Sequence, residues 1–195
     1  MTPPGPPAGR RIGLLFGSFN PVHVGHLILA EHFATRTDLA EVWLVVSPQN
    51  PFKAVADLLP DTERLRWVEL AIAGNPHLRA ECIEFDLPRP SYTIATLDAL
   101  RARHPSTEFV LLMGADNLPG LPRWQHAERL LAETDIYVYP RPGTTLPDLV
   151  PFPRVRVLPA PLLDISATYI RESLRRGDSI RYLVPAIVEE ELASR

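Results

Sequence analysis

Short apolar runs alternate with segments of helical periodicity along almost the whole chain, and few folds accept that order. Residues 11–16, 42–46, 77–85, 109–113, 136–139 and 155–158 read as strands. Between them, 24–35, 62–73 and 92–103 read as helices, as do 124–132, 166–176 and 185–193. Gly74 and Gly177 stand where helix C-termini are expected. Strands that alternate with helices favour a parallel sheet covered by helices on both faces. Ligands of such sheets bind at the carboxyl ends of the strands. The chain of 195 residues, 46% of them hydrophobic, is long enough for one domain with a sizeable core. Residues 1–10, rich in proline and glycine and without an apolar centre, are expected to be a disordered tail, leaving 11–195 as the domain. The proline-rich stretch 140–161 reads as a long connection holding one short strand.

Bulk properties narrow the partners. No apolar run is long enough to span a bilayer, so no membrane partner is expected. A net charge of -3 argues against nonspecific nucleic-acid binding, which needs a basic surplus. Cys82 is the single cysteine and cannot form an internal bridge, which points to a reducing, cytoplasmic setting. Its alternating surroundings predict a small buried hydrophobe. The sequence leaves assembly into a homo-oligomer open.

Two segments carry chemistry. Gly17-Ser18-Phe19-Asn20-Pro21-Val22-His23-Val24-Gly25-His26 joins the first strand to the first helix. Glycine after a strand lets a ligand approach the backbone closely. The offset of three puts His23 and His26 on one side of a helix start, where free N–H groups attract anions. Two imidazoles there can donate to phosphate oxygens, and Gly25 leaves the approach clear. The nucleoside triphosphatase loop is excluded, because no Gly-Lys-Ser/Thr follows. The second segment is Ile165-Ser166-Ala167-Thr168-Tyr169-Ile170-Arg171. Ser166 suits an N-cap, and Arg171 suits chelation of phosphate oxygens. On composition alone it reads as a capped helix with a solvated arginine.

The first segment resembles the nucleotidyltransferases with a His-x-Gly-His signature, whose relatives include class I aminoacyl-tRNA synthetases. The second resembles the Ile-Ser-x-Thr-x-Ile-Arg motif of the same superfamily. Phe16 stands where a first glycine is frequent, and Asn20 is the amide variant. Three further segments fall at predicted strand ends or helix starts: Pro48-Gln49-Asn50-Pro51-Phe52-Lys53, Pro90-Ser91-Tyr92-Thr93, and Gly114-Ala115-Asp116-Asn117 with Trp124 beyond. Together they look like the bacterial nicotinate mononucleotide adenylyltransferases, over nearly the whole chain. One departure is Phe52, where the family often has histidine.

The resemblance implies an α/β, Rossmann-like, doubly wound parallel sheet in a single domain. It implies transfer of AMP from ATP to nicotinate mononucleotide, in NAD biosynthesis, with Mg2+ carried by ATP phosphates and no protein metal ligands. His23, His26 and Arg171 would be catalytic. Gly17, Ser18, Phe19, Gly25, Gly114, Asp116, Ile165, Ser166 and Thr168 would bind ATP. Asn50, Lys53, Tyr92, Thr93, Trp124 and Arg141 would hold the mononucleotide, with Trp124 stacked on the pyridine ring. From the residues alone, Trp124 also fits plain packing, Tyr92 and Thr93 a plain helix start, Asp116 a cap, and Arg141 a solvated turn. Two rivals remain: another transferase of the superfamily, such as one acting on phosphopantetheine, and a nucleotide sensor without turnover.

Overall fold

The structure, a computed structural model, describes residues 9–48, 58–141, 143–144, 152–161 and 163–193. Six strands form one sheet: β1 (Arg10–Gly17), β2 (Glu41–Val46), β3 (Leu78–Glu81), β4 (Thr107–Gly114), β5 (Asp135–Tyr139) and β6 (Val155–Val157). Their spatial order is β3-β2-β1-β4-β5-β6, and every pairing is parallel. The helices are α1 (Val24–Arg36), α2 (Asp61–Ile72), α3 (Thr93–Arg103), α4 (Ala127–Glu133), α5 (Ala167–Arg176) and α6 (Ala186–Ala193).

Period-two alternation splits the strand side chains between two cores. On β2, Val42, Leu44 and Val46 face one layer, while Trp43 and Val45 face the other. The first layer takes Leu29 and Phe33 of α1, Trp67 and Val68 of α2, Ile170 of α5 and Val188 of α6. The second takes Ile94, Leu97 and Leu100 of α3 and Leu130 of α4. Each such side chain, fully buried, contributes on the order of 1.5–3 kcal/mol of transfer free energy. The doubly wound sheet expected from the alternation is therefore present. Strand order reverses about β1 and β4, so a crevice opens at their carboxyl ends, beyond Gly17 and Gly114.

Four expectations need correction. β1 starts at Arg10, inside the segment expected to be tail; residues 1–8 lie outside the described residues. The strand expected over 77–85 stops at Glu81 and gives way to a 3-10 turn, Ile83–Asp86. The Glu81 carboxylate accepts the N–H groups of Cys82 and Ile83, at 3.1 and 3.0 Å, taking donors that a longer ladder would use. Cys82 is exposed, not buried, since the turn carries it off the sheet. The helix expected from Trp124 begins only at Ala127. Trp124 instead closes a 3-10 segment, Ala115–Arg123, that contains Pro119 and Pro122, and His126 at φ 53 breaks the path between them. The end of α5 follows expectation: Gly177 at φ 75 lets the N–H of Asp178 reach the Ser173 carbonyl at 2.9 Å.

Candidate active site

A cavity of about 770 Å3 occupies the crevice. The expected site residues that fall within the described residues line it together. His23, His26, Gly17, Ser18, Phe19 and Gly25 come from the β1–α1 turn and helix start. Ile165, Ser166, Thr168 and Arg171 come from the start of α5, and Gly114, Asp116, Trp124 and Arg141 from beyond β4 and β5. Tyr92 and Thr93 come from the start of α3. Asn50, Lys53 and Phe52 lie outside the described residues.

His23 is the N-cap residue of α1 and is 4% exposed. Its ring stacks on that of His26, with centroids 3.6 Å apart. The His26 Nδ1 accepts the His23 backbone N–H at 3.2 Å. In a neutral ring that bond leaves the His26 proton on Nε2, which makes His26 a donor. Burial, and then the Arg141 charge, push the His23 pKa down to about 4, so its ring is uncharged at neutral pH. The His23 Nδ1 is buried and has no hydrogen-bond partner among the described residues. Gly25 packs against this ring: a Cβ there would lie 3.0 Å from the His23 Nδ1.

Phe19 does more packing than sequence suggested. At φ 45 and 1% exposure, it sets its ring under Gly17 and edge-on to His26, with centroids 4.9 Å apart. The two sequence motifs meet directly. Arg171 Nη1 donates to the Asn20 carbonyl at 2.9 Å, while its Nε is buried without a partner among the described residues. Ser166 accepts the Tyr169 N–H at 3.1 Å, so its hydroxyl is engaged in capping α5.

Arg141 lines the cavity beside Asp116 and Tyr139. It pairs with Asp116 at 3.8 Å, lies over the Tyr139 ring and acts on His23. It thus neighbours residues expected on the ATP side. Both partners of the ion pair are about half exposed, so the pair is weak and exchangeable. Trp124 lines the cavity while part of it packs on the core.

Two polar residues escaped the sequence. Glu84 lines the cavity at 3% exposure, and Thr96 donates to it at 2.7 Å. Burial pushes its pKa up, against the opposing effects of the Thr96, Ser47 and Ser91 hydroxyls. Arg64, fully buried on α2, bonds to the backbone carbonyls of Ser18 and Ser47, just after β1 and β2. Among the described residues, no group of three or more His, Cys, Asp or Glu side chains could hold a metal ion. No helix there is long and apolar enough to cross a membrane.

Comparison with known proteins agrees with this geometry. The cytidylyltransferase-like family matches residues 14–173. A probable nicotinate-nucleotide adenylyltransferase of Cytophaga hutchinsonii is 51% identical over 95% of this chain and 96% of its own. One of Bacteroides fragilis is 48% identical, over 92% and 90%. In fold, the chain matches a Plasmodium falciparum nicotinic acid mononucleotide adenylyltransferase complexed with NaAD, with a TM-score of 0.79 and 18% identity over 95% of each chain. The chain therefore belongs to the cytidylyltransferase-like family and, within it, to the nicotinate-nucleotide adenylyltransferases, which are nucleotidyltransferases.

Proposed function

We propose that the protein transfers AMP from ATP to the phosphate of nicotinate mononucleotide, giving nicotinate adenine dinucleotide and pyrophosphate. One observation carries the reading. Motifs from opposite ends of the chain face one cavity, with a wall of Tyr92, Thr93 and Trp124 beside them. The relatives' names agree.

In this reaction a phosphate oxygen of the mononucleotide forms a bond to the α-phosphorus, and the bond to the pyrophosphate oxygen breaks. The attacking phosphate is already an anion, so neither a general base nor a protein nucleophile is required. Alignment can supply roughly 7–11 kcal/mol, and fixed donors stabilise the developing charge. His26 donates from Nε2 to a phosphate oxygen. His23, uncharged and buried, orients His26 by stacking and offers its own ring proton to the triphosphate. Arg171, with its unpartnered Nε, and Thr168 hold the β- and γ-phosphates. The backbone of Gly17 and Ser18 lets the nucleotide approach closely, and Gly114 and Asp116 line its cleft. Trp124 stacks on the pyridine ring, and the N–H groups opening α3 at Tyr92 and Thr93 bind its carboxylate. Asn50 and Lys53 cover the mononucleotide.

A magnesium ion would be held mainly by the triphosphate oxygens and water. When bound, it would neutralise charge on the triphosphate. We place the reaction in the cytoplasm, where ATP is available.

A pyrophosphate-release assay with ATP tests the reading against a panel of acceptors. Release is expected with nicotinate mononucleotide and at least about 100-fold less with phosphopantetheine. Preference for phosphopantetheine would reassign the enzyme within its superfamily, and ATP binding without release for any acceptor would make it a sensor.

A further inference from the structure

Arg64 is 0% exposed, yet most of its donors go to backbone outside helices and strands. It donates to the carbonyl of Ser18, in the turn that carries the phosphate-binding residues. It also donates to the carbonyls of Ser47 at 2.9 Å and Pro48 at 3.3 Å, just after β2, and of Leu59 at 2.9 Å, just before α2. A buried cation needs a counter-charge, and Asp61 supplies it: its Oδ1 accepts from Arg64 Nη2 at 2.7 Å. The other oxygen, Oδ2, accepts from Arg89 Nη2 at 2.6 Å. Arg89 stands two residues before Ser91, where the chain turns into the start of α3.

A continuous line of charge-assisted hydrogen bonds thus runs from the nucleotide side to the acceptor side, behind the cavity wall. We propose that Arg64, Asp61 and Arg89 are positioning residues that set the acceptor wall, Ser91 to Thr93, in register with the phosphate-binding turn at Ser18. None of the three touches substrate in this scheme. Arg64 fixes the two loops at the ends of β1 and β2. Asp61 neutralises it and passes the constraint to Arg89. The reason is geometric: in-line attack tolerates little error, and a misplacement of about 1 Å can cost on the order of 100-fold. The acceptor assignment rests on the function proposed above, but the coupling itself does not.

Arg89 is the clean place to cut the line, because its side chain is half exposed and far less buried than Arg64. In Arg89→Ala, amide hydrogen exchange at residues 91–95 is expected to rise at least about threefold, with the melting temperature unchanged within 2 °C or so. KM for nicotinate mononucleotide is expected to rise about three- to fivefold, as suits a partly exposed ion pair, while KM for ATP stays put. Arg89→Lys should recover most of both effects. In an Asp61→Asn background, Arg89→Ala should add nothing. Unchanged exchange at 91–95, or an undiminished effect in the Asp61→Asn background, would overturn the proposal whatever the acceptor is. Altered exchange with no turnover of nicotinate mononucleotide by the parent protein would sustain the coupling and sink the acceptor assignment instead.

Discussion

His26→Ala is expected to lower turnover at least about 100-fold while the protein still folds. The His26 ring accepts the His23 N–H through Nδ1, which leaves its proton on Nε2 as a donor. Alanine removes that donor and the stack that holds His23 in place. Loss of one transition-state donor elsewhere costs roughly 2.7–4 kcal/mol, or 100- to 1000-fold. The structural loss, a hydrogen bond at a helix start worth about 1 kcal/mol together with the ring contacts to His23 and Phe19, falls on stability. Steady-state turnover and a thermal melt on the same preparation separate the two. Near-normal turnover would remove His26 from the mechanism.

The second large effect is on stability against pH. The His23 pKa stands at about 4 in the folded protein, against 6.5 for the free side chain. Between these values the unfolded chain binds more protons, so stability rises with pH. The contribution is fully present above about 6.5 and is lost as pH falls towards 4. A depression of this size corresponds to about 3 kcal/mol. Denaturant unfolding at pH 7 and pH 4 should show the parent losing about that much more than His23→Gln, whose side chain does not titrate. Equal losses would mean that His23 is not held uncharged by the fold. The same burial makes His23 a poor acid–base catalyst at neutral pH, in keeping with its donor role.

The alternation of strands and helices was legible in the sequence because each apolar run carried its own period. The first motif was legible from its paired histidines at a strand-to-helix turn, the second only through its resemblance to the superfamily motif. What the sequence hid falls into two kinds. Glu81 ends its strand by capping its own successors, and no period announces that a side chain will take backbone donors. Nothing in the sequence singles out Arg64 or Glu84, since charged residues are mostly exposed. Their burial follows from where α2 and the Ile83–Asp86 turn pack, which is a tertiary fact. Arg141 belongs to the second kind. Sequence placed it in the right cavity, but only the fold sets its charge beside Asp116 and His23.

These details also bear on acceptor choice. The opening of α3 presents free N–H groups and a partial positive charge at Tyr92 and Thr93. A helix start of this kind favours an acceptor whose pyridine ring bears a carboxylate over one bearing an amide. The most direct test compares kcat/KM for nicotinate and nicotinamide mononucleotides, with ATP saturating and magnesium present. The account predicts a preference for nicotinate of at least about tenfold, or about 1.4 kcal/mol. Equal efficiency, or a preference for nicotinamide, would contradict it.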